Sequence, residues 1–78
     1  METTRRLDKF TCPFGGQEVE LLEVAYDAGG IPLLRLRIRE RTRFTIFEID
    51  AVSAARWSKA MAAWAQLQPY ASEGTPQA

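Results

Sequence analysis

The sequence predicts an α+β domain: a four-stranded antiparallel meander with one C-terminal helix packed on one face of the sheet (ββββα). Three observations indicate this fold. Residues 17–26, which are acidic, and residues 34–41, which are basic, both read as strands, and a glycine turn at residues 27–30 separates them. A further alternating strand follows at residues 43–49. After Asp50, an alanine-rich segment free of glycine and proline is typical of a helix.

The N-terminal part of the chain predicts a single edge strand. The first six residues are polar, and we expect them to be frayed. Residues 7–12 form the strand, which ends at Pro13 because proline has no amide donor for a sheet. The folded domain is therefore expected over residues 7–68, followed by a flexible polar tail at residues 69–78.

The second strand changes phase along its length. Val19 and Leu21 share one phase of the pleat, whereas Leu22 and Val24 share the other. A strand with one buried face needs an extra residue to change phase, so we predict a β-bulge at Leu21–Leu22. We expect the loop to the third strand to have three residues, 28–30.

This loop and bulge predict a register in which apolar and charged pairs alternate between the two strands. The expected neighbours are Val24 with Leu34, Leu22 with Leu36, Val19 with Ile38, Glu23 with Arg35, Glu20 with Arg37, and Glu18 with Arg39. Each exposed charge pair stabilises the sheet by only about 0.2–1 kcal/mol, so the pairs mainly select the register.

The last strand is apolar in both phases. With a three-residue turn at residues 40–42, Phe44 and Ile46 lie on the core face, and Phe47 and Ile49 lie on the opposite face near Arg35. A strand that is apolar on both sides is either buried on both sides or binds another molecule.

The helix is expected to begin after the N-cap Asp50 and to run from Ala51 to about Gln68. Trp57, Met61 and Trp64 share one stripe at helical spacing, which predicts that they lie against the sheet. The full predicted core is Val19, Leu21, Leu22, Val24, Tyr26, Leu34, Leu36, Ile38, Phe44, Ile46, Trp57, Met61 and Trp64.

Composition limits the possible functions. The chain has 78 residues, ten basic and ten acidic side chains, one cysteine and no histidine. A disulfide framework is excluded, a zinc site is disfavoured, and no net charge attracts nucleic acid or anionic membranes. Frequent arginine and alanine suggest a bacterial source, and the lack of an export signal or an apolar span predicts a cytoplasmic protein. Such a small core favours oligomerisation.

Catalysis is not expected, and neither is a cofactor. Without histidine the chain has no ordinary base near neutral pH, and most carboxylates lie opposite arginines, which lowers their pKa. Glu48 is the carboxylate that the predicted register puts on the core side. Cys12 precedes a glycine turn whose amides could stabilise a thiolate, but a small residue ending an edge strand is the simpler interpretation.

We therefore predict a non-catalytic protein-interaction module that forms a homodimer through its uncovered sheet face, with no metal and no membrane partner. Its contact residues would be Arg35, Arg37, Phe47 and Ile49. The alternative is a single-stranded nucleic-acid or phospholigand binder that uses Arg37, Arg39, Arg41, Arg43 and Phe47.

Overall fold

The computed structural model describes residues 2–27 and 30–70. These residues form four strands and one helix in the order β1 (Thr3–Thr11), β2 (Glu18–Ala25), β3 (Leu33–Glu40), β4 (Arg43–Ile49) and α1 (Ala51–Gln66). The strands lie in a single sheet in chain order, and each is antiparallel to its neighbour. The predicted ββββα fold is confirmed.

Strand β1 is longer than predicted and carries the bulge of the sheet. It begins at Thr3, opposite Ala25, so the expectation of a frayed segment up to residue 6 is wrong. Pairing with β2 satisfies the hydrogen-bonding capacity of the backbone N–H and C=O groups in this segment, and this does not depend on the side chains being polar or apolar. Arg6 lies opposite Leu22 and Asp8 lies opposite Leu21, which leaves Leu7 as the extra residue.

Strands β2 and β3 pair in one uninterrupted register from Glu18 to Val24. The predicted bulge at Leu21–Leu22 is therefore wrong, and Leu21 lies opposite Leu36. The connection between the strands covers residues 26–32 and is longer than the predicted three-residue loop. Residues 28 and 29 of that predicted loop lie outside the described residues.

The longer connection moves the pairs close to it by one residue. Val24 lies opposite Leu33, Leu22 opposite Arg35 and Glu23 opposite Leu34, in place of the predicted partners. Farther along, the missing bulge offsets this shift. The predicted pairs Val19 with Ile38, Glu20 with Arg37, and Glu18 with Arg39 are therefore confirmed.

The turn between β3 and β4 has two residues, Arg41 and Thr42, because Glu40 lies opposite Arg43. Arg41 adopts the left-handed conformation with φ of 58°. A three-residue turn was predicted, and the difference of one residue exchanges the two faces of β4. Phe44 and Ile46 lie opposite arginines of β3, whereas Phe47 lies opposite Leu36.

Residues directly opposite one another in an antiparallel sheet share a face, so the register defines two surfaces. One, which we call the open face, carries Glu18, Glu20, Leu22, Val24, Leu33, Arg35, Arg37, Arg39, Phe44, Ile46 and Glu48. The other, which we call the helix face, carries Val19, Leu21, Glu23, Leu34, Leu36, Ile38, Glu40, Arg43, Thr45, Phe47 and Ile49. Helix α1 lies on the helix face, since Trp57 contacts Phe47.

Helix α1 begins after Asp50, as predicted, and ends at Gln66, two residues before the predicted end. Residues 71–78 of the predicted tail lie outside the described residues. Tyr70 packs edge-on against Phe14 in the β1–β2 turn, with ring centroids 5.6 Å apart. The chain therefore contacts the β1–β2 turn about one turn beyond the helix.

The hydrophobic core is smaller than predicted. Among the described residues, Val24 and Leu36 are the buried hydrophobic side chains. Most other predicted core residues on β2 and β3 are half-buried. The predicted burial is wrong for Tyr26, Phe44, Ile46, Trp57, Met61 and Trp64, which are all exposed. A two-layer sheet and helix of this size leaves much apolar surface in water.

Candidate interaction surface

Ion pairs cover much of the open face. Arg39 and Glu18 are joined at 2.6 Å, and Arg37 and Glu20 at 3.3 Å, as their register predicts. The hydrogen bond from Arg39 lowers the pKa of the Glu18 carboxyl. These arginines therefore carry little uncompensated charge.

Arg35 lies at the centre of a second cluster on the same face. Its guanidinium contacts Glu48 at 2.8 Å and Glu2 at 3.0 Å. The Tyr26 hydroxyl donates to Glu48 at 2.6 Å. Hydrogen bonds from Tyr26 and Arg35 lower the pKa of the Glu48 carboxyl, and the same contact with Glu48 raises the pKa of Tyr26. Glu48 is therefore on the open face rather than the core side, and its ionised form is stabilised.

Phe44 is the aromatic residue that stands among the arginines. The Arg37 guanidinium carbon lies 4.5 Å from the centroid of the Phe44 ring, which is a cation–π arrangement. Phe44 and Ile46 are nevertheless 49% and 54% exposed. Strand β4, at the edge of the sheet, therefore supplies the exposed apolar part of the open face.

The structure separates the four predicted contact residues. Arg35 and Arg37 lie on the open face. Phe47 and Ile49 lie on the helix face, where the Phe47 ring centroid is 6.0 Å from that of Trp57 and Ile49 is half-buried. The predicted single patch is therefore wrong, because the two-residue turn exchanged the faces of β4.

The alternative anion-binding set is also divided. Arg37 and Arg39 are ion-paired on the open face, whereas Phe47 lies on the opposite side of the sheet. Arg41 lies in the turn and Arg43 begins β4. Within residues 2–27 and 30–70, no ion pair involves the side chains of Arg41 and Arg43, so two arginines at one end of the sheet retain free charge.

The largest aromatic side chains of the helix form an exposed stripe. Trp57, Met61 and Trp64 are 41%, 55% and 60% exposed, and with Ala60 they line a shallow apolar groove on the helix. We call these four residues the tryptophan flank. Because Trp57 contacts Phe47 of β4, this flank faces the β4 side of the sheet. An exposed apolar patch of this kind is typical of an association surface.

Sequence reasoning missed both the tryptophan flank and the Arg35 cluster. Aromatic residues at helical spacing indicate a core only if the domain offers an opposing apolar surface of matching size. The signal for the cluster was Glu48, the one acidic residue in β4. Opposite Arg35 it forms an ion pair, which favours the two-residue turn that was not predicted.

Cys12 is half-buried in the β1–β2 turn. Its amide donates to the carbonyl of Gln17 at 2.8 Å, and its carbonyl accepts from the amide of Gly16 at 2.9 Å. Gly16 adopts a φ of 75°, which a glycine tolerates. The Gly16 amide thus donates its hydrogen bond within the turn, so it is not available to stabilise a Cys12 thiolate.

Within the described part of the chain, no group of three or more histidine, cysteine, aspartate or glutamate residues could hold a metal ion. The described helix is not long and apolar enough to cross a membrane.

Comparison with known proteins identifies a family. Residues 1–67 match the model of a family described as "Family of unknown function (DUF6967)", so the chain belongs to that family. No curated protein and no solved structure matches the chain.

Proposed function

We propose that this family member is a non-catalytic protein-interaction module, a small cytoplasmic accessory protein of bacterial origin that functions as a homodimer. The observation that supports the proposal is the tryptophan flank. Side chains of this size and exposure lie on the helix side of a sheet in which, among the described residues, Leu36 is the buried hydrophobic residue of the helix face and Val24 that of the open face. Association would remove this apolar surface from water and complete the core.

The contact surface differs from the one that the sequence predicts. The arginines of the open face are largely neutralised by glutamates of their own chain, and pairs of this kind contribute little to association. The apolar surface extends instead from the tryptophan flank to Phe47 and the exposed side of β4. We place the interface there.

Sedimentation equilibrium of the full chain at micromolar concentration and at two salt concentrations tests the proposal. We expect a dimer whose dissociation constant changes little with salt, because apolar burial is insensitive to screening. Trp64→Lys should weaken the dimer at least tenfold without loss of helical circular dichroism.

Val52→Lys is the matched control, since Val52 is also an exposed apolar residue of α1 but lies on the opposite side of the helix from Trp57. It should sediment as the wild type does. A wild type that is still monomeric at about 100 µM, which would make any association free energy weaker than about −5.5 kcal/mol, would refute the homodimer. A dimer that salt dissociates would place the charged open face in the interface and contradict the assignment to the tryptophan flank.

A further inference from the structure

The two edges of the sheet differ in how they resist pairing with another strand. Strand β1 carries a bulge at Leu7, which lies between Arg6 and Asp8, and Lys9 follows. Bulges and charged side chains, lysine above all, are the features that protect an edge strand. The β1 edge is therefore protected against pairing with another strand, and we call it the guarded edge.

Strand β4 has none of these features within its run of residues from Phe44 to Phe47. The segment Phe44-Thr45-Ile46-Phe47 contains no charge and no proline, and it is paired in a regular register with β3. Its side chains are exposed on both faces of the sheet. An exposed, regularly paired, apolar edge of this kind is a template for another strand.

We propose that the occupant of this edge is β4 of a second copy of the chain, so that two sheets join antiparallel into one continuous eight-stranded sheet. The proposal rests on the homodimer proposed above and specifies its geometry. A two-fold axis perpendicular to the sheet would pass between the two Thr45 residues, which lie opposite each other.

In this register β4 is complementary to itself. Phe44 of each chain lies opposite Ile46 of the other on the open face, which gives two aromatic and β-branched pairs. On the helix face Arg43 of each chain lies opposite Phe47 of the other, where a guanidinium can rest against the ring. Arg43 is available for this contact, since within the described residues no ion pair involves its side chain.

The backbone has the same symmetry. The pair that closes a two-residue hairpin, here Glu40 and Arg43, exchanges hydrogen bonds within the hairpin. Every second residue of β4 from Arg43 therefore bonds to β3. The residues between them, including Phe44 and Ile46, direct their amide and carbonyl groups to the open edge, where the second copy would supply partners.

The helices would form a second layer of the same interface. The two-fold axis places both copies of α1 on the same side of the joined sheet, and the tryptophan flank of each faces the β4 side and hence the other helix. At about 200 Å² for a large side chain, the exposed parts of Phe44, Ile46, Phe47, Trp57, Met61 and Trp64 amount to about 600 Å² per chain. Standard interfaces bury about 600–1,000 Å² per partner, so complete burial of these six side chains reaches the lower end of that range, and the strand edge adds to it.

Disulfide trapping at the two-fold axis tests this geometry. In the proposed register Thr45 of each chain forms a non-hydrogen-bonded pair, whose Cα atoms lie about 4.5 Å apart and within disulfide range. In a Cys12→Ser background, Thr45→Cys should form a covalent dimer under mild oxidation. Thr4→Cys is the matched control, an exposed threonine on the guarded β1 edge, and it should remain a monomer on a non-reducing gel.

Hydrogen exchange of the unmodified protein provides a second measurement that needs no variant. The amides of Phe44 and Ile46 should be protected at least tenfold more at a concentration where the dimer forms than below it. If the wild type is a dimer but Thr45→Cys links no faster than Thr4→Cys, or these two amides exchange equally at both concentrations, the edge pairing is wrong and the homodimer stands. A monomeric wild type refutes both.

Discussion

Replacing Val24 with alanine should destabilise the fold more than any equally small change on the helix. Val24 is 0% exposed and is the only side chain described as fully buried among residues 2–27 and 30–70. The substitution removes two carbons, which at about 0.8 kcal/mol each corresponds to about 1.6 kcal/mol of transfer free energy. The space left behind adds to this cost, so we expect a loss of about 2–3 kcal/mol.

The matched control is Val52→Ala, the same chemical change at a helix position that is 77% exposed. Little burial is lost there, and alanine is the better helix former by up to about 0.6 kcal/mol. We expect Val52→Ala to leave the free energy of unfolding unchanged or slightly raised. The contrast between two valines separates burial from side-chain type.

Urea unfolding followed by circular dichroism measures both changes. Wild type and variants must be compared at one protein concentration, because association couples to folding. With an m-value of about 1–2 kcal/mol/M for a chain of this size, the midpoint of Val24→Ala should fall by about 1–3 M. If Val24→Ala costs less than about 0.5 kcal/mol, or as little as Val52→Ala, the placement of the core at Val24 is wrong.

Two further predictions concern the turn and the charged face. Arg41→Gly should stabilise the fold by up to about 1 kcal/mol, because glycine adopts a φ of 58° without the steric cost that a side chain brings. Thr42→Gly is the control and should destabilise the fold. Equal effects of the two substitutions in thermal unfolding would contradict the turn geometry. The folded-state pKa of Glu18 is lowered from 4.5, so its contribution to stability is present above that pH and is lost as the pH falls through the folded-state value. Glu18→Gln should therefore lose less stability than the wild type between pH 6 and pH 3 in urea titrations, and an equal loss would show that the ion pair with Arg39 does not stabilise the fold.

The topology and half of the central register could be predicted from sequence, because they depend on features that a strand pattern records. The alternating acids and bases placed Glu18 beside Arg39 and Glu20 beside Arg37, since a slipped register would separate both pairs. Asp50 marked the start of the helix, because it precedes a long segment without helix breakers.

The faces of β4 could not be predicted, because they depend on one residue of turn length. Arg41 adopts a left-handed conformation, although arginine does not favour it and no glycine is adjacent. The turn therefore has two residues rather than the expected three. Phe44 and Phe47 exchange sides as a consequence. The exposure of Trp64 was unpredictable for a different reason: helical periodicity shows that a face is apolar but not whether the same chain covers it.

The bulge at Leu7 has a consequence for the size of the assembly. If two copies join through β4, the outer edges of the joined sheet are the two β1 strands. A head-to-tail contact between unlike edges would leave a free edge at each end and would grow into a filament. Because the bulge and its charged neighbours prevent strand pairing at β1, assembly would stop at the symmetric dimer. A cell could therefore accumulate the protein without fibre formation.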